Sequence, residues 1–272
     1  MFEEPYRWVE AVGNRRQYLD EQFQQGSPVV ALSFADGILL LTVSRGTPKL
    51  YEIYDRIGLG GMGHPADLEK LRFNILEMAH VEGFNRSPSD VTGSRMVKYG
   101  LAPVIKQAFE EVYKAPFIVK ILLAELGTKA ERDAFITINY DGTFEESKRC
   151  AAIASTPVIQ TDVIGALRQN AELASASLNQ AADAALRAWA IGSLAQHREK
   201  EDEEDHKEVP GASSASSPDA TAIESHLRKT LIDKTIECAV LERTAPGSSK
   251  YRALKAEEVI RLLPTPLKSI TK

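Results

Sequence analysis

The spacing of apolar residues along the chain changes several times, and each change marks an element. Over residues 5–24, Trp8, Val9, Val12, Tyr18, Leu19 and Phe23 recur at mostly helical spacing behind Pro5. A first helical turn accepts proline, because its missing N–H has no intrahelical partner. One amphipathic helix is predicted, weakened at Gly13. Two short β-rich runs follow, residues 28–34 (PVVALSF) and 37–43 (GILLLTV), separated by Ala35-Asp36, and they predict a hairpin. Residues 51–62 continue in strand character and end in small residues.

From Pro65 and Asp67 the period returns to helical, with Leu68, Leu71, Ile75, Leu76 and Met78 on one face. Ser89 or Asp90 can cap a second helix running through Val97, Leu101, Val104, Ile105 and Phe109 to about Tyr113, and Pro103 inside it predicts a kink or break. Strands are predicted at 117–124 and 134–140, the latter closed by the turn signal Asp141-Gly142. A third strand at 150–155 is expected to pair back on it. Helices follow at 161–173 and 178–196, the second carrying Leu178, Ala182, Ala185, Leu186 and Trp189 at three- and four-residue spacing.

Residues 197–220 (HREKEDEEDHKEVPGASSASSPDA) hold almost nothing to bury, so a disordered acidic and Ser-rich insertion is expected there. Beyond it, 235–243 (TIECAVLER) and 250–254 read as a last hairpin around Pro246-Gly247, before a short helix at 256–263. The piece beyond the insertion is too small for a core of its own, so residues 1–272 are expected to form one domain. Strands and helices segregate along the chain, which predicts an α+β fold of antiparallel sheets stacked between helical layers.

Composition narrows the function. The chain has 272 residues, 43% hydrophobic and 26% charged, with a formal net charge of −5. That balance lacks the clustered basic residues that binding along nucleic acid requires, so protein partners are expected and nucleic acid is not. No apolar run approaches the roughly 20 residues of a bilayer span, so no membrane partner is expected. The start MFEEPYRWVEAV has no basic region followed by an apolar stretch, which places the expectation in the cytoplasm. Cys150 and Cys238 form no CxxC pair and read as core thiols.

Candidate chemistry is sparse. Gly58-Leu59-Gly60-Gly61-Met62-Gly63 is a literal GxGxxG between a strand and a helix, but about 20 residues on, where a dinucleotide fold needs a strand ending in an acid, the pattern is helical. Close backbone packing explains the glycines better than a nucleotide does. His64, His80, His197, His206 and His226 have no metal-ligand spacing and no HExxH, so neither metal nor cofactor is expected. Ser27, before the first strand, is the one hydroxyl placed as a nucleophile would be; GxSxG is absent.

Several stretches in order resemble the bacterial α-type subunits of the 20S proteasome, a branch of the Ntn-hydrolase superfamily (peptidase family T1). They are GSPVVALSFADGILLL, KLYEIYDRIGLGGMG, DVTG, INYDG and TIECAVLER, and they span nearly the whole chain. The resemblance implies a four-layer α-β-β-α sandwich of two antiparallel sheets. It also poses a choice between the catalytic β-type and the non-catalytic α-type role. Catalytic β-type subunits use an N-terminal Thr freed by processing, helped by a Lys and an Asp. Here the matching strand start is Ser27-Pro28 behind a helix, and the position of the Asp falls near Val43. No catalytic residue is therefore assigned; a stand-alone amidohydrolase using Ser27 after autoprocessing is the alternative.

What the resemblance carries over is docking. α-Type subunits form a heptameric outer ring on catalytic β-type subunits, gate substrate entry, and in pockets between neighbouring subunits receive the C-terminal tails of a ring-shaped AAA+ ATPase activator. Lys49 matches the pocket lysine that pairs with the tail carboxylate. Gly63 matches the pocket glycine that lets the tail backbone approach. The helix at 5–24 would face the pore, leaving Met1, Phe2, Glu3 and Glu4 as the gate tail, without the Tyr-Asp-Arg cluster of longer-tailed relatives.

Overall fold

The computed structural model describes residues 5–111, 113–169, 175–204 and 219–264. The chain opens with helix α1 (Pro5–Phe23), unbroken at Gly13. Strands β1 (Val29–Phe34) and β2 (Gly37–Ser44) form the expected hairpin, with Phe34 opposite Gly37. Residues 51–62 are two strands and not one: β3 (Leu50–Tyr54) and β4 (Ile57–Gly63) reverse at Asp55-Arg56. That turn carries neither Gly nor Pro, which is why the apolar pattern reads straight through it.

Helix α2 (Pro65–Asn85) follows. The second helical segment is capped not by Ser89 or Asp90 but by Thr92, whose hydroxyl accepts from the Arg95 amide at 3.3 Å. It begins as the single turn α3 (Gly93–Arg95), widens into a π-helical stretch over Met96–Leu101, and ends as α4 (Ala102–Glu110). The expected kink at Pro103 is taken up by that π-turn. The Ala102 amide bonds back to Val97 O, and Pro103 falls in the first turn of α4, where its missing N–H costs nothing.

Strands β5 (Val119–Glu125), β6 (Ala134–Ile138) and β7 (Phe144–Ser147) continue the chain. The expected pairing of the 150–155 strand on 134–140 is corrected: β7 takes that place, and β8 (Cys150–Ile153) crosses to pair with β1. β7 is exposed at three of its four positions and carries Glu145 and Glu146, so it has no apolar signature to find. Helix α5 (Pro157–Gln169) starts a turn before the expected 161, and residues 170–174 lie outside the described residues.

Helix α6 (Leu178–Glu204) overruns the boundary drawn from its apolar face. Residues 197–204 are helical, not disordered, because Glu and Lys sustain a helix without burial. A further helix, α7 (Ala220–Thr230), begins at the end of the expected insertion and buries Ile223 and Leu227. Residues 205–218 lie outside the described residues, as do Met1–Glu4 of the expected gate tail. Strands β9 (Thr235–Glu242) and β10 (Tyr251–Ala253) form the last hairpin before α8 (Ala256–Leu262).

The strands make two antiparallel sheets, ordered β10-β9-β2-β1-β8 and β3-β4-β5-β6-β7. Between them Val29, Ala31, Ile38 and Leu40 of the first meet Met62, Leu122 and Ala124 of the second. Outside the first sheet, Val30, Leu32, Leu39 and Leu41 pack with Ile159 and Val163 of α5 and Trp189 of α6. Outside the second, Leu59, Ile121 and Leu123 pack with Leu68, Leu71 and Ile75 of α2 and with Leu101 and Ile105. This is the α-β-β-α sandwich. With both faces covered, β1 and β2 are buried at every position, which explains their continuous apolar runs. The end of α1 also enters the space between the sheets, where Leu19 and Phe23 are fully buried.

Candidate functional site: a cationic cleft at one end of the sandwich

A cleft of about 310 Å³ opens where the ends of β2 and β4 meet the approaches to β1, β3 and β9, roofed by α6. The sheet register brings these segments together: β2 pairs with β9 from Gly37↔Glu242 to Ser44↔Thr235, so Ser44 and Arg45 lie beside Lys234. Lys49 enters from the loop between β2 and β3, and Ser27 from the approach to β1. Gly63 closes β4 at the mouth, so Ser27, Lys49 and Gly63 all line the cleft.

Lys49 is half-buried and held from behind by Glu237 of β9. Both carboxylate oxygens of Glu237 accept the Lys49 backbone N–H, each at 3.0 Å, and one accepts the Leu50 N–H at 2.8 Å. Burial lowers the Lys49 ammonium below its ordinary value, the field of Glu237 opposes that, and Lys234 adds to it. Burial raises the Glu237 carboxyl, against the backbone bonds it accepts and the Lys49 charge. Lys234 is lowered by burial first and by Arg45 and Lys200 after.

Ser27 is tied into the wall of the cleft. Its hydroxyl accepts the indole N–H of Trp189 at 3.0 Å, and beside it the Gln196 amide donates to Gly26 O at 3.1 Å. Val43 lines the wall, and no Asp or Glu lines the cleft among the described residues. Ser193 and His226 meet at 2.9 Å near this wall. Burial, then the neighbouring His197, hold the His226 ring down to about 4, so it is neutral at physiological pH.

The glycines of the GxGxxG string lie within β4 and not in a loop ahead of a helix. A Cβ at Gly60 would stand 2.6 Å from Val29 Cγ1, and at Gly61 2.3 Å from Leu68 Cδ1. Gly63 has φ of +131°, and its Cβ would stand 2.0 Å from Ile118 O. Its own backbone therefore accounts for glycine at this position, before any ligand does.

Arg45, Lys200, Lys234, Glu237 and Trp189 belong to the site, and sequence reasoning passed over all five. Glu237 alone carried a signal, as a carboxylate in the middle of an apolar strand. Lys200 was hidden in a charged run that reads as solvated surface.

A sandwich of this layer order, with a cleft at the start of its first strand, is a proteasome-type fold. A family model described as Proteasome subunit matches residues 23–195. A proteasome subunit alpha of Streptomyces avermitilis is 26% identical over 261 residues, covering 93% of this chain and 87% of the relative. One from Streptomyces griseus is 26% identical over 263 residues, 94% of this chain and 82% of the relative. One from Salinispora tropica is 33% identical over 184 residues, 66% of this chain and 67% of the relative. The chain therefore belongs to the proteasome subunit family, and to its α-type branch. Among the described residues no helix is long and apolar enough to cross a membrane.

Proposed function

We propose that this chain is the non-catalytic ring subunit of a 20S proteasome core in the cytoplasm. In this reading residues 1–272 act as one domain that assembles as a heptameric ring on catalytic β-type subunits. The ring controls substrate entry, with α1 at the pore and Met1–Glu4 as the gate tail, and the cleft receives the C-terminal tail of an AAA+ ATPase activator.

The observation that carries the non-catalytic reading is the burial of Leu19 and Phe23. Both side chains are fully covered between the sheets, so the segment ahead of Ser27 is part of the core and not a disposable leader. Freeing Ser27 as a terminal residue would remove both, and each is worth about 1.5–3 kcal/mol of burial. In the intact chain the Ser27 hydroxyl is held by the Trp189 N–H, which can only donate, and the α-amine that would serve as its base is tied up in the peptide bond to Gly26. A cleft with Lys49 and no lining carboxylate suits capture of a carboxylate better than peptide cleavage.

The test is Lys49→Ala in the assembled particle. Degradation of a folded protein driven by the ATPase should fall several-fold while the ring still assembles. Unchanged ATPase-driven degradation would remove Lys49 from docking.

A further inference from the structure

Helix α7 is seated on α6 by a cluster of rings that neither the fold's layers nor the docking of a tail requires. His226 of α7 lies over Trp189 of α6, with the ring centroids 6.5 Å apart and the planes 25° from parallel. Its Nε2 meets the Ser193 hydroxyl at 2.9 Å, and the His197 ring stands against it edge-on with centroids 5.2 Å apart. Trp189, Ser193 and His197 recur at every fourth residue, so one stripe of α6 makes all three contacts. Ile223 and Leu227 of α7 are buried in the same core cluster as Trp189, so the ring contacts and the apolar contacts of α7 form and break together.

This seat accepts a neutral imidazole and rejects a charged one. Protonation alone would not break the Ser193 bond, because a hydroxyl can accept as well as donate. The obstacle is charge: His226 is half-buried, and the groups whose fields reach it are all basic. They are His197 from α6, Lys234 from the segment leading into β9, and Lys229 from α7 itself. Arg45 and Lys200 act in turn on Lys234. Among the described residues no carboxylate acts on His226, and Glu224 of α7 is paired with Arg228. Burial first and His197 second hold the ring down to about 4, against 6.5 for a free imidazole. The seated value is below the free one, so the seating of α7 is at full strength above about pH 6.5 and weakens as pH falls from there towards 4.

We infer that His226 is a proton-operated latch: neutral, it seats α7 on the Trp189–Ser193–His197 stripe of α6, and on acidification it gains a charge that the stripe rejects, so α7 lifts away. Every contact in the latch lies within one chain, so it works without the ring and without docking at Lys49. Trp189, Ser193 and His197 also line the cleft, and the Trp189 N–H holds the Ser27 hydroxyl there. Release of α7 therefore removes the packing behind one wall of the cleft.

The test follows amide hydrogen exchange of the full-length chain at about pH 7.5 and pH 5, corrected for the pH dependence of intrinsic exchange. With 6.5 for the released ring and about 4 for the seated one, the opening constant of α7 should rise about ten- to thirtyfold between the two conditions. Peptides covering Ala220–Thr230 should lose protection by that factor, while those covering β1 and β2 keep theirs. In His226→Gln, which cannot be protonated, the loss in α7 should fall below about twofold. His197→Gln, a change at an exposed position, removes one of the opposing charges and should leave a smaller loss than in the wild type. A second readout uses Trp8→Phe, which leaves Trp189 as the single tryptophan. Its emission should shift to the red as pH falls below about 6.5, and the shift should be absent when His226→Gln is added. Equal loss of α7 protection in the wild type and His226→Gln, no loss in either, or a loss shared by β1 and β2 overturns the latch. Should His226→Gln not fold, His197→Gln decides, and a loss equal to that of the wild type overturns it.

Discussion

Glu237 holds Lys49 by its backbone. The carboxylate of a residue 188 positions later in sequence accepts the Lys49 N–H at 3.0 Å through either oxygen, and so fixes where the lysine leaves the chain. The ammonium is thereby free for a ligand, because its neighbouring acid is occupied with the main chain. A lysine whose own side chain was ion-paired would have to break that pair before docking anything.

Glu237→Ala therefore removes the anchor and leaves two amides without their acceptor. The expected loss of stability is about 1–3 kcal/mol, the usual cost of an unsatisfied buried donor. ATPase-driven degradation should fall together with it, and Glu237→Gln, which keeps one acceptor oxygen, should restore part of both. Thermal unfolding and degradation assays on the two variants check this; identical behaviour of Ala and Gln would show that the acceptor does nothing for Lys49.

Gly63→Ala should damage the fold before it damages docking. A non-glycine residue at φ of +131° costs about 1–3 kcal/mol, and the added Cβ would meet Ile118 O at 2.0 Å. The melting temperature should drop and the yield of assembled ring should drop with it. An unchanged melting temperature with lost docking would instead make Gly63 a ligand-contact glycine.

Lys120 contributes a pH dependence that a comparison with Lys120→Met isolates, because Cys150 and Cys238, raised by burial, oppose it in the same alkaline range. It is buried between the sheets, donates to Ala154 O at 2.9 Å and to Ser155 O at 2.6 Å, and lies over the Phe23 ring. Burial brings its ammonium down from 10.5 to about 8, against the fields of Asp20 and Asp141. The folded value is below the unfolded one, so between about pH 8 and 10 the unfolded chain binds the extra proton and stability rises with pH. Above pH 10 the tyrosines Tyr51 and Tyr140, raised to about 12 mainly by burial, reverse the trend. Chemical denaturation at pH 8 and 9.5 should show the stability of the wild type relative to Lys120→Met increasing over that range, a difference in which the opposing contributions of Cys150 and Cys238 cancel. An equal change in both would mean that Lys120 does not titrate there.

The layers of the fold were legible because they rest on apolar period. The runs around Val30 and Leu40, the α2 face at Leu68, Leu71 and Ile75, and the last hairpin around Gly247 all carry it. What escaped were elements without an apolar face: β7, with Glu145 and Glu146, and the last turns of α6, whose polar residues read as linker. The order of strands in space escaped as well: Cys150 opens β8 three residues after β7 ends at Ser147, yet it pairs with Leu32 in the other sheet, a choice that local pattern does not encode. The site divides the same way. Lys49 entered through resemblance, whereas Arg45, Lys200, Lys234 and Glu237 become one cluster only when β2, β9 and α6 are assembled.

The central claim is that this chain builds the ring and does not cut. The most direct measurement is intact mass together with peptide hydrolysis, on the chain alone and on the chain co-assembled with its β-type partner. A full-length mass, no hydrolysis by the chain alone, and hydrolysis by the particle that a threonine-directed β-subunit inhibitor abolishes and Ser27→Ala leaves unchanged are the predicted results. Loss of the first 26 residues, with hydrolysis by the isolated chain that Ser27→Ala eliminates, would contradict it.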